Sequence, residues 1–448
     1  MVLLRYYICC IILHLTLTGS SLVQIGDAIS VKLDSSASYK HSSNIFRTEN
    51  DVISDYLFTF SPGAVLNIGS FNAPLNLRLK TEYNINNYSE YDSLDIDRLK
   101  IYANGSYNPN EVLKNRFSYS NVEGMSARSD FSLEQVLTPG IVETNSEKLS
   151  FSTIYEYSPK LSFSLGAEQN ESTYDTFTDT LSSKKVRYIP FRVSYQYTDK
   201  MSIYFGATFI NSEVGDRKIT PDGLTQAFEP YSSQQLSQEI RLDIINGIVS
   251  SYGLLAFDTD QVYYNIGLSG NILPKLSGYI DVGYRTLEYR DNIFHEDILN
   301  TNINALPIDA DGYVDFSSVD ELASSPTVNA FGARSALTWT ISPKFKTTIN
   351  GSRDFDYAGS GSTYKFSRAS INSAYKVNTD FVVNFIYGRT KKNFIIQDRD
   401  EYLTNASISL RYFHSENIRY SASFNHTKSD AVADYKLSEF TLGTNFSF

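Results

Sequence analysis

Residues 75–84 sort by parity. Leu75, Leu77, Leu79, Thr81 and Tyr83 occupy the odd positions, and Asn76, Arg78, Lys80, Glu82 and Asn84 the even ones. A period of two puts each set on one face of an extended strand, one face suited to hydrocarbon and the other to water. The pattern recurs. Leu99, Ile101 and Ala103 oppose Arg98, Lys100, Tyr102 and Asn104; Phe191, Val193, Tyr195 and Tyr197 oppose Arg192, Ser194 and Gln196. Ile240, Leu242 and Ile244 oppose Glu239, Arg241 and Asp243, and Ala406, Ile408, Leu410 and Tyr412 oppose Ser407, Ser409 and Arg411. A soluble sandwich could show this in one strand. Its repetition along the chain, with aromatics throughout the apolar face, points to a wall between lipid and water.

The punctuation repeats as well. Ser158-Pro159-Lys160-Leu161, Thr198-Asp199-Lys200-Met201, Leu273-Pro274-Lys275-Leu276 and Ser342-Pro343-Lys344-Phe345 each join two alternating runs. Asn378-Thr379-Asp380-Phe381 and Ser415-Glu416-Asn417-Ile418 do the same with looser chemistry. Proline fixes φ and removes a ladder donor, and Asp or Asn favours the turn. The intervening connections are longer, over 123–146, 172–185, 211–233 and 290–327. Short turns on one side and long loops on the other define an all-β fold, a transmembrane antiparallel up-and-down β-barrel of about 18 to 20 strands, with 16 as the alternative.

Composition agrees. The chain holds 33 Tyr and 28 Phe but one Trp and 3 Met. Aromatics gather at strand ends, as an interfacial girdle requires: Trp339 before the turn at Ser342, Tyr155 and Tyr157 before Ser158, Tyr195 and Tyr197 before Thr198, and Tyr375 before Asn378. Mean hydropathy is −0.26, low for a membrane protein built of helices but natural for one in which alternate residues meet lipid. The formal charge of −11 disfavours nucleic acid as a partner.

The N-terminus reads as an export signal. Arg5 precedes an apolar stretch over 6–17 and the small residues Gly19, Ser20 and Ser21. That stretch is too short to span a bilayer as a helix. Residues 1–28 are expected to be the signal peptide, cleaved after Ser21 or after Ala28, and 29–448 the barrel. Cys9 and Cys10, the only cysteines, lie in the leader, so a mature chain has neither a disulfide nor a thiol site.

The last strand ends Phe440-Thr441-Leu442-Gly443-Thr444-Asn445-Phe446-Ser447-Phe448. Phe440, Leu442, Phe446 and Phe448 share one face. Thr441, Gly443, Phe446 and Phe448 resemble the β-signal by which outer-membrane barrels are recognised for assembly: a polar residue, a glycine, then alternating aromatics to the end. The resemblance implies the bacterial outer membrane, its lipid and the barrel-assembly machinery as location and partners. Further upstream, Ser43-Asn44-Ile45-Phe46, the run 51–60 leading into Ser61-Pro62-Gly63, the Tyr- and Asn-rich stretch 83–91, and the Pro-Lys-Leu-Ser turns at Pro159 and Pro274 resemble β-barrel porins often encoded beside exopolysaccharide or export machinery. That likeness implies fold and location and carries no catalytic or binding residue.

Chemistry inside such a barrel belongs to its polar face. Arg78, Lys80, Arg98, Lys100, Lys114 and Arg116 crowd three consecutive strands. They read either as a basic wall drawing anionic solutes into the pore or as a ladder of cations paired with Glu82 or Asp97. The loop 290–327 is acidic. Asp309 and Asp311 stand before Gly312 as a Ca²⁺ loop would begin, but the remaining ligands are missing, so it reads as a solvated loop and no metal or cofactor is expected. The histidines beyond the leader, His41, His295, His414 and His426, fall apart from one another and from any Ser–Asp partner, so no enzyme is expected. The expectation is a passive diffusion or export pore for polar solutes or saccharide polymers. The alternative is a structural or adhesive barrel with a blocked lumen and partner-binding loops. An energised receptor needs a plug domain, for which little chain lies between the leader and the first strand.

Overall fold

The computed structural model describes residues 23–50, 52–70, 73–126, 142–176, 183–214, 258–290, 327–357, 363–395, 399–431 and 434–448. Residues 1–22 of the expected leader, the alternating residues 239–244, His295 and the acidic loop carrying Asp309 and Asp311 lie outside them.

Each alternating run becomes a strand, because only an extended chain separates its two sets of side chains. The first are β1 (Val23–Ile25), β2 (Ile29–Ser42), β3 (Asp55–Ser61), β4 (Gly63–Ile68) and β5 (Leu75–Tyr88). Next come β6 (Ile96–Tyr107), β7 (Leu113–Ser126), β8 (Val142–Ser158), β9 (Leu161–Tyr174) and β10 (Lys184–Thr198). The middle of the wall is β11 (Met201–Val214), β12 (Thr259–Leu273), β13 (Leu276–Tyr289), β14 (Thr327–Ser342) and β15 (Phe345–Tyr357). It finishes with β16 (Thr363–Lys376), β17 (Phe381–Phe394), β18 (Arg399–Phe413), β19 (Ile418–Asp430) and β20 (Tyr435–Ser447).

From β5 to β20 every strand pairs antiparallel with its sequence neighbours. β2 closes the ring by pairing with β20 on one edge and with β3 and β4 on the other. β3 and β4 are one wall strand interrupted at Pro62. Ser61 opposes Ser36 and Ala64 opposes Leu33, so the register runs through without a shift, and the Pro62 carbonyl still accepts the Tyr83 N–H at 3.0 Å. β1 is a short strand on the edge of β2. The closed wall therefore has 18 strands, within the expected range. β11 pairs directly with β12 from Met201↔Gly270 to Ser212↔Thr259, so the wall passes from one to the other without an intervening strand.

The short turns fall where the sequence places them. β8 ends at Ser158 and β9 starts at Leu161, and the pairs Thr198/Met201, Leu273/Leu276 and Ser342/Phe345 repeat that two-residue spacing. Side chains help: Ser158 Oγ accepts the Leu161 N–H at 3.1 Å, and Asn378 Oδ1 accepts the Phe381 N–H at 2.8 Å. Lys275 takes a positive φ of 72° at the second central position after Pro274, the conformation of a type II turn. On the opposite rim, strands run further into two of the expected loops. β7 reaches Ser126 and β8 begins at Val142; β9 reaches Tyr174 and β10 begins at Lys184.

Register rows identify the outer surface. Phe151 opposes Phe117 and Ala167, Phe205 opposes Val193 and Ile266, and Ile408 opposes Phe385 and Phe424. Phe58, Leu99, Phe151, Leu165, Phe191, Phe205, Ile266, Val282, Phe331, Ile349, Ile371, Phe385, Ile408, Phe424 and Leu442 are all exposed. A belt of this extent is stable only against hydrocarbon. Toward the short turns Tyr107, Tyr155, Tyr157, Tyr195, Tyr197, Trp339, Tyr375 and Tyr420 are exposed, the girdle expected at that interface. The alternate set lines the lumen.

Candidate functional site

The six cations expected to form a wall all lie on the lumen parity of β5 to β7, and most of them are paired. Lys80 Nζ sits 2.9 Å from Asp34 and 3.1 Å from Glu82, and Lys100 Nζ lies 3.7 Å from the same Glu82. Lys114 pairs with Glu156, and Arg98, itself buried, reaches Glu143 at 3.9 Å. Arg78 and Arg116 have no ion-pair partner among the described residues. Asp97 takes no part in the ladder. It stands on the outer parity of β6, where its carboxylate accepts the Tyr83 hydroxyl at 3.0 Å. The region is thus a ladder carrying two free guanidiniums.

A denser cluster sits on the lumen face of β10 to β15. Tyr263 on β12 lies flat against the wall because the strands beside it carry glycine there. A Cβ on Gly283 would fall 2.6 Å from its ring and one on Gly332 2.8 Å, and these glycines oppose each other across β13 and β14. Two residues beyond each glycine an arginine folds back over the ring, the Arg285 guanidinium carbon 4.7 Å and that of Arg334 5.1 Å from its centroid. Tyr204 on β11 repeats the device. A Cβ on Gly267 would lie 2.4 Å from its Cζ, and the Arg192 guanidinium carbon stacks 4.2 Å from its centroid. Such a cation–ring contact contributes about 0.5 to 1 kcal/mol where the cation is exposed and about 2 kcal/mol where it is desolvated, as at Arg285.

Carboxylates tie the plates together. Tyr204 and Tyr263 donate their hydroxyls to Asp281, at 3.1 and 2.9 Å. Asp354 on β15 binds Arg285 at 2.8 Å and Arg334 at 2.5 Å, and Gln261 accepts from Arg285 at 3.0 Å. Tyr204, Tyr263, Asp281 and Arg285 are buried, so this patch of wall is rigid and dry beneath its surface. Arg192 is different: it is exposed to the lumen and has no ion pair among the described residues. The Gly-x-Arg repeats at Gly283–Arg285 and Gly332–Arg334 were visible in sequence, but the barrel alone shows that they share one tyrosine.

Elsewhere the lumen face also carries neutral polar pairs. Ser118 and Ser150 share a hydrogen bond of 2.7 Å, Thr338 and Thr348 one of 2.9 Å, and Asn405 donates to Asn425 at 2.8 Å. Near the short turns Lys346, Lys376, Arg411 and Arg419 share the lumen parity and also lack ion-pair partners among the described residues.

The assembly motif sits in the seam. Thr441 and Gly443 face inward on β20, and Phe446 and Phe448 have the opposite parity. The Phe448 backbone exchanges two hydrogen bonds of 2.8 Å with Leu33 of β2. His41 and His426 are on outer-face positions, and His414 begins the turn after β18. Among the described residues no helix is long and apolar enough to cross a membrane, and the chain crosses with strands.

The closed ring, the exposed apolar belt and the girdle at the short-turn rim together settle the architecture. It is that of a bacterial outer-membrane β-barrel. The outer membrane is accordingly the compartment of this chain. No protein-family model matches it, and no curated protein does. Among solved structures it is similar to the FrpB iron transporter of Neisseria meningitidis (F5-1 variant, apoprotein form), with a TM-score of 0.50 at 8% identity over 95% of this chain and 82% of that one. OccAB4 of Acinetobacter baumannii gives 0.47 at 9% identity over 95% and 99% of the two chains. OpdK, the outer membrane protein of Pseudomonas aeruginosa, gives 0.45 at 7% over 93% and 99%. At 8% identity the likeness to FrpB speaks to fold alone.

Proposed function

We propose that this barrel is a non-enzymatic, passive channel for polar solutes with a preference for anions. The observation that carries the reading is the contrast between whole chain and lumen. The chain has a formal charge of −11, yet Arg78, Arg116, Arg192, Lys346, Lys376, Arg411 and Arg419 all occupy lumen-parity positions without an ion-pair partner among the described residues. Fixed cations on a low-dielectric wall raise the local concentration of anions and lower their entry barrier. The serine, threonine and asparagine lining between them suits sugar hydroxyls. With the resemblance to porins encoded beside exopolysaccharide machinery, it supports saccharides, including acidic polymers, among the solutes. We assign β20 the role of contact with the barrel-assembly machinery, through Thr441, Gly443, Phe446 and Phe448.

The test is conductance. The full-length chain, refolded and inserted into a planar bilayer under a salt gradient, is expected to give stable current steps with a reversal potential on the anion-selective side. Cation selectivity would reject the electrostatic reading. Electrical silence from a heat-modifiable, folded barrel would replace the channel by a blocked barrel that acts through its outer loops.

A further inference from the structure

We infer that the hollow beside Arg192 is a lumen subsite for a small, carboxylate-bearing solute. The inference deepens the channel reading and rests on it only for the solute's access. The hollow has a volume of about 210 Å³, below the ~300 Å³ at which drug-sized pockets begin, so it suits a sugar acid or comparable small molecule.

Three strands leave space at the same place. Pro190, in the middle of β10, cannot donate to the ladder, and the regular pairing of β10 with β9 skips it, passing from Tyr188↔Glu168 to Phe191↔Leu165. Gly166 lies beside it, where a Cβ would come 3.1 Å from the Pro190 ring and 3.2 Å from the Phe151 carbonyl. On β11, Gly206 leaves room for the Asn265 amide, whose oxygen would sit 2.4 Å from an added Cβ. Glycine and proline inside strands mark a bulge or a close approach to the backbone. Here no register shift accompanies β10 until Gln196, which leaves the close approach.

The charge balance sets the ligand class. Arg192, Arg285 and Arg334 face Asp281 and Asp354. Asp354 is shared by Arg285 and Arg334, and Asp281 is held by two tyrosine hydroxyls. One positive charge is left over, and it belongs to Arg192. Its guanidinium is fixed by stacking on Tyr204, which Gly267 backs, so the fork is oriented before any solute arrives. A planar fork matches a carboxylate with two parallel hydrogen bonds. Ser152, Ser164, Thr208 and Asn265 complete the lining and offer hydroxyl and amide partners to the rest of a sugar acid.

The probe is D-galacturonate, with D-galactose and inorganic phosphate as controls. Two measurements use the refolded full-length chain: concentration-dependent interruption of single-channel current, and calorimetric titration in detergent. Galacturonate is expected to bind at least tenfold more tightly than galactose. Arg192→Gln should lose that advantage, Arg192→Lys should recover part of it, and Arg187→Gln, on the opposite face of the same strand and paired with Glu213, should leave it within twofold. Thr208→Trp, which fills the hollow and keeps the guanidinium, should also abolish it and serves if Arg192→Gln does not fold. Unchanged affinity in the folded Arg192→Gln or Thr208→Trp chain, or an equal loss in Arg187→Gln, overturns the subsite. Phosphate binding as tightly as galacturonate overturns the carboxylate assignment. Calorimetric binding that depends on Arg192 in a silent barrel would sink the channel reading and keep the subsite. Conduction without galacturonate binding would do the reverse.

Discussion

Asp354 offers the sharpest test of what holds the lumen wall. Its carboxylate, 9% exposed, is the single negative charge shared by the guanidiniums of Arg285, 5% exposed, and Arg334, 41% exposed. In Asp354→Asn the shape is kept and the charge removed, leaving two guanidiniums against one tyrosine ring. Stranding one partner of a buried pair costs about 3 to 5 kcal/mol. Water reaching Arg334 compensates part of that, so about 3 kcal/mol is expected. The reference is Asp400→Asn. Asp400 pairs with Lys391 at 2.6 Å, but both side chains are well exposed, and such a pair contributes about 0 to 1 kcal/mol. Urea unfolding of the barrel in lipid vesicles reads both. The double variant Arg285→Met with Asp354→Leu removes the buried charges together and should recover most of the loss. If Asp354→Asn and Asp400→Asn shift the midpoint equally, burial is not what gives the cluster its strength, and the argument fails.

The remaining predictions use the same assays. Phe205→Arg puts a guanidinium into the hydrocarbon belt and should cost about 2 to 4 kcal/mol, whereas Thr208→Arg, three residues on but facing the lumen, should unfold within about 1 kcal/mol of the parent. Gly283→Ala places a methyl group 2.2 Å from the Tyr264 carbonyl and 2.6 Å from the Tyr263 ring. It should cost about 1 to 3 kcal/mol as overpacking, while Gly388→Ala, whose new Cβ would come no nearer than 3.4 Å to Ser370, should not. Arg78→Glu with Arg116→Glu should move the reversal potential toward cation selectivity further than Lys100→Glu does, because Lys100 is already opposed by Glu82.

What the sequence disclosed and what it withheld follow from range. The two-residue turns and the parity of β5, β6, β10 and β18 are local, fixed by steric preference within a few residues, and the structure repeats them position for position. Strand count is not local. Ser61-Pro62-Gly63 has the composition of a turn, yet the missing Pro62 donor costs one hydrogen bond, and the flanking residues stay in register between β2 and β5. The direct pairing of β11 with β12 joins segments far apart in sequence, and no local alternation announces which strand will be the neighbour of which. The ladder on β5 to β7 was legible because its cations are close in sequence. Arg192, Arg285 and Arg334 are far apart along the chain, and their common use of two tyrosines is a property of the closed ring. Asp97 was misassigned because one position of parity decides between lumen and lipid.

The seam between β2 and β20 bears on how such a molecule comes into being. Lys40 and Glu439 meet there at 2.9 Å, although 399 positions separate them along the polypeptide. Contacts of such separation are the slowest to form. Until they do, both flanks are raw edges able to recruit a foreign strand, and the passage has an open side. A product interrupted shortly before residue 439 would therefore carry nearly all of the wall and still be leaky, sticky and fit for degradation.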